Sequence, residues 1–492
     1  MSIDFNSDTA GYDMCRQKLH KDRLYFMNKL TSRLIVAFTI LAGIAPVTAQ
    51  SRRPAVTIVN SNDATPRELY GASRIRAALA NVNGLGSTGS TILVGVRSSK
   101  IFNSMGSLGK FSPGEAEAFH LLRLGNKWLV IGSDPSGVLY GSLELAHRID
   151  AARGLPATID VVDKPTFKIR GTCLLWMKYG NGFYNWPVTP QNFPWFYDRK
   201  LMLQYLDELA ENRYNAVVFW NAHPFPYFLT LPKYPEARMF NDAELQRNMD
   251  QLKWFTEEAD RRGIWTVVHF YNIHVSPAFA KAHAHEGVKI ENSAPTPLLE
   301  AYTRYCISEF VKSYPNVGIM ITAGEALQVQ QEEFIRDAII PGVKDSGKNP
   351  PLIVRQWTID PLRYRNIVRP AYDNLYTMMK HNTEMLVSPY PDPRNKTWSS
   401  YGQNHLINVH ENADVKPFRW ASPRFVQQMT QEWKDIGVAG FQLYPMVSWQ
   451  WPTTLDRTTP PLSTVDRDCM WIEEFGRYGW NPDRSASGEE DF

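Results

Sequence analysis

The sequence predicts an α/β chain whose main body is a (β/α)8 TIM barrel, preceded by a small α+β accessory domain. Three observations carry this expectation. Past Arg170, eight short apolar runs alternate with helix-like patterns, the mark of repeated βα units. The runs are rich in Val, Ile and Leu without strict alternation, as strands covered on both faces are. No Gly-rich phosphate loop follows an early strand, which an open doubly wound sheet would want.

The runs are Gly171–Met177, Asn215–Asn221, Ile264–Asn272, Val317–Glu325, Leu352–Trp357, Asn374–Asn382, His405–Asn412 and Gly437–Pro445. Eight is the number that closure needs. Helices are legible between them. Asp198–Asn212 carries Leu201, Leu203, Leu206 and Leu209. Asp242–Arg262 opens on an Asp as N-cap, sets Leu245, Met249, Leu252 and Phe255 on one face and closes at Gly263. Ser422-Pro423 opens another helix with Pro at its first position.

Residues 50–164 form the accessory domain, 165–460 the barrel and 461–492 a C-terminal helix with a polar tail. In the accessory domain, strands are expected at 55–60 and 91–96, and a hairpin joins 119–124 to 127–133 through Gly125-Asn126. Helices are expected at 68–81 and 136–149, with an edge strand at 157–163. No constellation of titratable groups stands out there, so its role is structural or docking.

Residues 1–49 read as a signal peptide with an upstream extension. Met27–Arg33 is a short basic segment, 34–47 is apolar but short for a membrane span, and Val47-Thr48-Ala49 offers a cleavage site before Gln50. The start is expected at Met27, and the competing reading is a membrane anchor. The chain is accordingly expected to be secreted or periplasmic, with no membrane association after cleavage.

Lys plus Arg total 53 against 50 for Asp plus Glu, so net charge argues for no polyanionic partner. The basic residues are scattered, which disfavours nucleic acid. Aromatics make up 12% of the chain, which suits sugar stacking but also core building. Cys173, Cys306 and Cys469 have no metal-like spacing and imply no disulfide framework; Cys173, in a predicted strand, and Cys306, on a helix face, are expected to be buried free thiols. No cofactor motif appears, and the oligomeric state is left open.

The C-terminal ends of the runs hold a dense set of ionisable and aromatic groups, more than a barrel rim needs for stability. Trp176, Lys178, Trp220, Asn221, His223, His274, Arg355, Trp357, Lys380, His410, Arg419 and Tyr444 are the substrate-binding candidates. Glu325 ends the fourth run after a glycine, flanked by apolar residues that predict partial desolvation and a raised pKa, as a general acid needs. Glu384 and Glu411 are the candidates for a second carboxylate. Glycosidic hydrolysis needs such a pair, about 6.5–9.5 Å apart for inversion and about 5–5.5 Å for retention. Asp360, before Pro361, is expected to cap a helix. His223, His274, His381 and His410 lie on different strands without an HxH or HExxH pattern, so no metal site is assigned.

Two sets of motifs then carry a resemblance. Gly125–Ile149, with Asp163-Lys164-Pro165 and Phe167–Gly171, resembles the accessory domain and barrel entry of family 20 β-hexosaminidases and family 67 and 115 α-glucuronidases. Ile321–Leu327, Ile340–Lys344, Asn374-Leu375-Tyr376 with Lys380, and Pro417–Trp420 are similar to the α-glucuronidase-type glycoside hydrolases. So are Asp466-Arg467-Asp468 with Trp471, and Arg477–Pro482. The resemblance implies an enzyme that removes a terminal uronic acid from polysaccharide fragments by inversion. It matches the family 67 acid to Glu325, matches later-strand carboxylates to Glu384 and Glu411 by position only, and offers Lys380, Arg355 or Arg419 to the sugar carboxylate. Gly324-Glu325 stands where family 20 has Asp-Glu, which disfavours a hexosaminidase. These relatives usually continue into a C-terminal helical domain; this chain stops at Phe492, so the expectation is either a short form or a reading frame that ends early. The rival readings are a glycan-binding barrel that no longer cleaves and a polysaccharide lyase.

Overall fold

The computed structural model describes residues 56–82, 89–103, 105, 108, 115–178, 186–382, 386, 388–402, 404–410, 422–444, 451–452, 459, 463–467 and 469–484. The N-terminal sheet contains β1 (Val56–Asn60), β2 (Ser90–Val96), β3 (Phe119–Leu124), β4 (Lys127–Gly132) and β5 (Asp160–Asp163), in the order β1-β2-β4-β3-β5. Its helices are α1 (Pro66–Ala80) and α2 (Pro135–Ala152). Thr65 and Glu68 close a reciprocal capping box at the start of α1, and Asp134 caps α2 by accepting from the Gly137 N–H. Both helices lay apolar faces on the sheet, burying Ile75, Leu139, Leu143 and Ile149 against Ile92 and Val130.

The barrel follows. Its strands are β6 (Ile169–Leu175), β7 (Ala216–Trp220), β8 (Trp265–Tyr271), β9 (Val317–Thr322), β10 (Leu352–Arg355), β11 (Leu375–Lys380), β12 (His405–His410) and β13 (Gly440–Tyr444), all parallel and closed. Closure runs through β13 and β6, where Gly440 pairs with Ile169. A Cβ on Gly440 would lie 2.2 Å from the Ile169 carbonyl oxygen, so only glycine fits that seam.

Outer helices include α3 (Arg199–Glu211), α4 (Asp242–Arg261), α5 (Pro297–Ser313), α6 (Arg394–Gly402) and α7 (Pro423–Asp435). The face of α3 that packs is Met202, Tyr205, Leu206 and Leu209 rather than the leucines alone. The cap of α4 is Asn241, in a box with Glu244; Asp242 is its first helical residue. Asp360 does cap the helical segment after β10, accepting from the Arg363 N–H at 2.8 Å. Cys173 and Cys306 are buried free thiols. Among the described residues no helix is long and apolar enough to cross a membrane.

Arg170 joins the two sheets. Fully buried, it pairs with Glu117, in the turn just before β3, at 2.6 Å and donates to the carbonyls of Arg213 and Phe167 at 2.7 Å each. Its guanidinium also lies 5.1 Å from the ring of Trp480, the last residue of α8 (Cys469–Trp480). That ring packs on Tyr140 and Phe119, so the C-terminal helix is sewn into the N-terminal core.

Titratable groups in this frame give stability a defined pH dependence. Burial pushes the pKa of His223 and His405 down to about 3 and that of His381 down to about 4. Glu474 on α8 is pushed up to about 8 by burial, with repulsion from Glu473 adding to it. Below about pH 6.5 the unfolded chain takes up histidine protons that the native state refuses, so stability falls on acidification. Above about pH 4.5 the unfolded chain loses a glutamate proton that the native state keeps until about pH 8, so Glu474 costs stability as pH rises. These histidines, with His269 and His274 also lowered by burial, outweigh the one glutamate below about pH 6.5; above it Glu474 and His283, whose pKa is raised by its hydrogen bonds to Glu236 and Glu286, both cost stability as pH rises. A melting series from pH 4 to 8.5 is expected to peak near pH 6–7. The variant E474Q should flatten the decline on the alkaline side and steepen the rise between about pH 4.5 and 6.5, where Glu474 opposes the histidines.

Candidate active site

Alternation along the barrel strands decides which rim residues reach the cleft. Trp220, Tyr271, Arg355, Lys380, Asn408, His410, Gln442 and Tyr444 share the inward parity of Cys173, Val218, Val267, Met320, Ile353, Met378 and Leu406, which line the barrel axis. Arg355 is their centre. Its guanidinium lies 5.5 Å from the ring centres of both Trp220 and Trp357 and 5.9 Å from that of Tyr444. The ammonium of Lys380 sits 4.3 Å from the Trp357 ring.

Arg355 is 3% exposed and has no carboxylate partner among the described residues. Its Nη2 donates to Asn408 Oδ1 at 3.2 Å and lies 3.3 Å from His410 Nε2, while its buried Nε has no hydrogen-bond acceptor among the described residues. The 2.8 Å contact from His410 Nε2 to Asn408 Oδ1 assigns the ring proton to Nε2, so one amide oxygen accepts from both side chains. Asn408 is held in turn by donating to Gln442 Oε1. Deeper in the barrel, His269 stacks on Trp220 at 4.6 Å and shares a 2.7 Å hydrogen bond with Thr322. Burial, with the Arg355 charge adding to it, keeps His269 well below the usual histidine pKa. A cation buried without a counter-charge costs several kcal/mol. No described residue supplies an anion to balance this charge.

Glu325 stands on a turn just beyond β9 with φ +44°, in the left-handed region. It is exposed, which corrects the expectation of a desolvated carboxyl. The apolar neighbours in sequence, Ile321 and Ala323, point into the wall and leave the carboxylate facing water. Gly324 is fixed by packing: a Cβ there would lie 2.8 Å from both Cβ and Cδ1 of Trp357. Glu325 therefore shares its platform with the aromatic wall of the Arg355 cluster.

Several predicted binding residues lie elsewhere. Trp176 is fully buried outside the barrel wall, stacked on Phe219 at 4.4 Å and packed on Phe196 and Phe228. It follows the outward parity of Leu174, so it builds the outer core. His223 shares a 2.9 Å hydrogen bond with Tyr302 and packs on Phe225, also in the outer core. Asn221 is a buried brace that donates to the carbonyls of Trp176 and Trp186 and accepts from the His223 N–H. His274 donates Nδ1–H to the Tyr271 carbonyl, and burial lowers its pKa. Lys178 lies over Trp186 and Phe193 at 5.3 and 5.5 Å, beside the first barrel strand and away from Arg355's aromatic walls. Glu384, Glu411 and Arg419 lie outside the described residues. His269, Asn408 and Gln442 were not singled out from sequence, although their alternation with apolar residues on β8, β12 and β13 is the signal that points them inward. No cluster of three or more His, Cys, Asp or Glu side chains suited to a metal occurs among the described residues.

Fold and rim together define a class: a (β/α)8 barrel behind an α+β domain, with a polar and aromatic cleft at the carboxyl ends of the strands. Solved structures fill in the class. A GH138 enzyme targeting pectin rhamnogalacturonan II is similar at a TM-score of 0.78 and 31% identity, over 88% of this chain and 65% of that one. CpGH84B is similar at a TM-score of 0.51 and 15% identity, over 88% of this chain and 69% of that one, and shares the fold. The chain thus spans 65% of the length of the GH138 protein. No protein-family model and no curated protein matches the sequence. The barrel architecture implied by the resemblance is present, while the GH138 similarity does not single out the α-glucuronidase families.

The Gly324–Trp357 contact yields a test. G324A is expected to displace Trp357 and to destabilise the fold by about 1–3 kcal/mol, as overpacking does. Denaturant unfolding measures the loss, and a shift in tryptophan fluorescence reports the moved ring.

Proposed function

We propose that this chain is an exo-acting glycoside hydrolase that removes a terminal uronic acid from fragments of an acidic polysaccharide. The observation that carries this reading is Arg355, a buried guanidinium without a carboxylate partner among the described residues, walled by Trp220, Trp357 and Tyr444. A sugar ring stacks its C–H face on such rings, and its carboxylate supplies the missing counter-charge. Arginine meets a carboxylate in a fixed fork, which gives geometric selection as well as energy. Lys380 reinforces the positive field beside Trp357. The 31% identity to an enzyme that targets a pectin supports the same substrate class.

In this reading Glu325 protonates the glycosidic oxygen as the bond from the anomeric carbon breaks. Glu384 or Glu411 activates the water that attacks from the opposite face, giving inversion. The chain is made with a signal peptide ending at Ala49 and works outside the cytoplasm. A second reading, a polysaccharide lyase, draws support from the Arg355, His410 and Tyr444 group, in which the His410 and Tyr444 rings lie 4.5 Å apart. There the arginine would neutralise a uronate before proton abstraction.

Defined pectin and glucuronoxylan oligosaccharides, with NMR of the first product, separate these readings. Hydrolysis should release a free uronic acid of inverted anomeric configuration; an unsaturated uronide would instead identify a lyase. E325Q is expected to lower turnover by about 10²-fold or more. R355M should lower kcat/KM for uronides by about 10²-fold, because a desolvated charge pair is lost, while the melting temperature holds or rises. Equal activity of R355M on uronides would sink the assignment of the sugar carboxylate.

A further inference from the structure

One side chain outside the Arg355 group reaches the acid's turn from the neighbouring strand. Asn272, just past β8, is fully buried and itself has φ +49°. Its Oδ1 accepts from the backbone N–H groups of Gly324, Ala326 and Leu327 at 3.2, 3.3 and 3.4 Å. These residues bracket Glu325 on both sides. The Asn272 N–H donates to the Thr322 carbonyl at 2.8 Å, tying the same residue to the end of β9. At its other end Nδ2 donates to Glu291 Oε1 at 3.0 Å. The amide orientation follows from its partners, because the reverse placement would set an NH2 against three N–H groups and an oxygen against a carboxylate.

Two features make this more than a loop contact. A glutamate at φ +44° sits in a region that non-glycine residues avoid, at a cost of order 1–3 kcal/mol, and holds only when its surroundings enforce it. Three N–H groups converging on one oxygen are that enforcement. Asparagine also tolerates positive φ better than most residues, so it can turn its own backbone and hold the next turn together.

We propose that Asn272 is a positioning residue for Glu325, with Glu291 fixing the orientation of its amide. This rests on the reading of Glu325 as the general acid. Removing the oxygen frees the turn, and the acid is no longer held against the leaving oxygen. A misplacement of about 1 Å can cost about 10²-fold in rate.

The test exploits the leaving group, since a dinitrophenolate departs without a proton and an alkoxide does not. Galacturonic and glucuronic acid are used in both anomers, each as its 2,4-dinitrophenyl and its methyl glycoside, with the full chain. E325Q and N272A should each lose activity on the methyl glycoside, N272A by about 10–10²-fold in kcat with little change in KM. Both should stay within a few fold of wild type on the dinitrophenyl glycoside. The pair N272D/E291Q reverses the polarity of the amide–carboxylate bond while keeping an oxygen toward the three N–H groups. It is expected to recover methyl glycoside turnover relative to N272A, and it keeps the test open if N272A does not fold. Equal losses of N272A on both glycosides, or no loss on either, would overturn the positioning role and leave the acid assignment standing. If E325Q itself shows no dependence on the leaving group, or if the chain is inert on every glycoside, the acid reading and the positioning role fall together.

Discussion

Eight parallel strands closed on themselves leave each strand side chain two destinations, the barrel axis or the helical layer. That constraint organises the molecule. On β7, Trp220 faces inward and becomes a wall of the cleft, while Phe219 faces outward and becomes packing for Trp176. On β12, Asn408 and His410 face the axis and Val409 the helices. A one-residue change of register would exchange the two sets and place Arg355 in the apolar outer layer. The polar cluster at the mouth is therefore a consequence of closure, and closure in turn depends on the narrow seam at Gly440.

The buried charges are handled in two different ways. At the junction of the two sheets, Arg170 is matched by Glu117 and by backbone carbonyls, so it acts as a fastener. At the mouth, Arg355 has amide and imidazole neighbours that orient it and leave its charge uncompensated among the described residues. The same residue type is thus a fastener in one place and, in the proposed function, a ligand site in the other. The difference lies in whether a described residue provides the anion.

The turn that carries Glu325 shows a related division of labour. Glu325 is exposed and placed by backbone geometry rather than by side-chain packing. Trp357 presses on Gly324 from β10, and Asn272 gathers the flanking N–H groups from β8. Trp357 and Glu325 are thereby coupled through Gly324. In the proposed function, exposure leaves room for a substrate and the turn fixes the direction from which the proton comes.

The sequence by itself determined the elements. Apolar runs, caps and turn residues mark each strand of the barrel, the N-terminal α+β sheet and the cap at Asp360, because those signals are local and short-range. It also placed Glu325, Arg355, Lys380 and Trp357 at strand ends. Tertiary structure decided which strand-end residues share the cleft. Trp176 and His223 read like Trp220 and His410 in a one-dimensional list, yet parity and chain path send the first two into the outer core. The hold of Asn272 on the Glu325 turn joins positions 52 to 55 residues apart. No local pattern records such a contact, because it comes into being only when β8 and β9 pair.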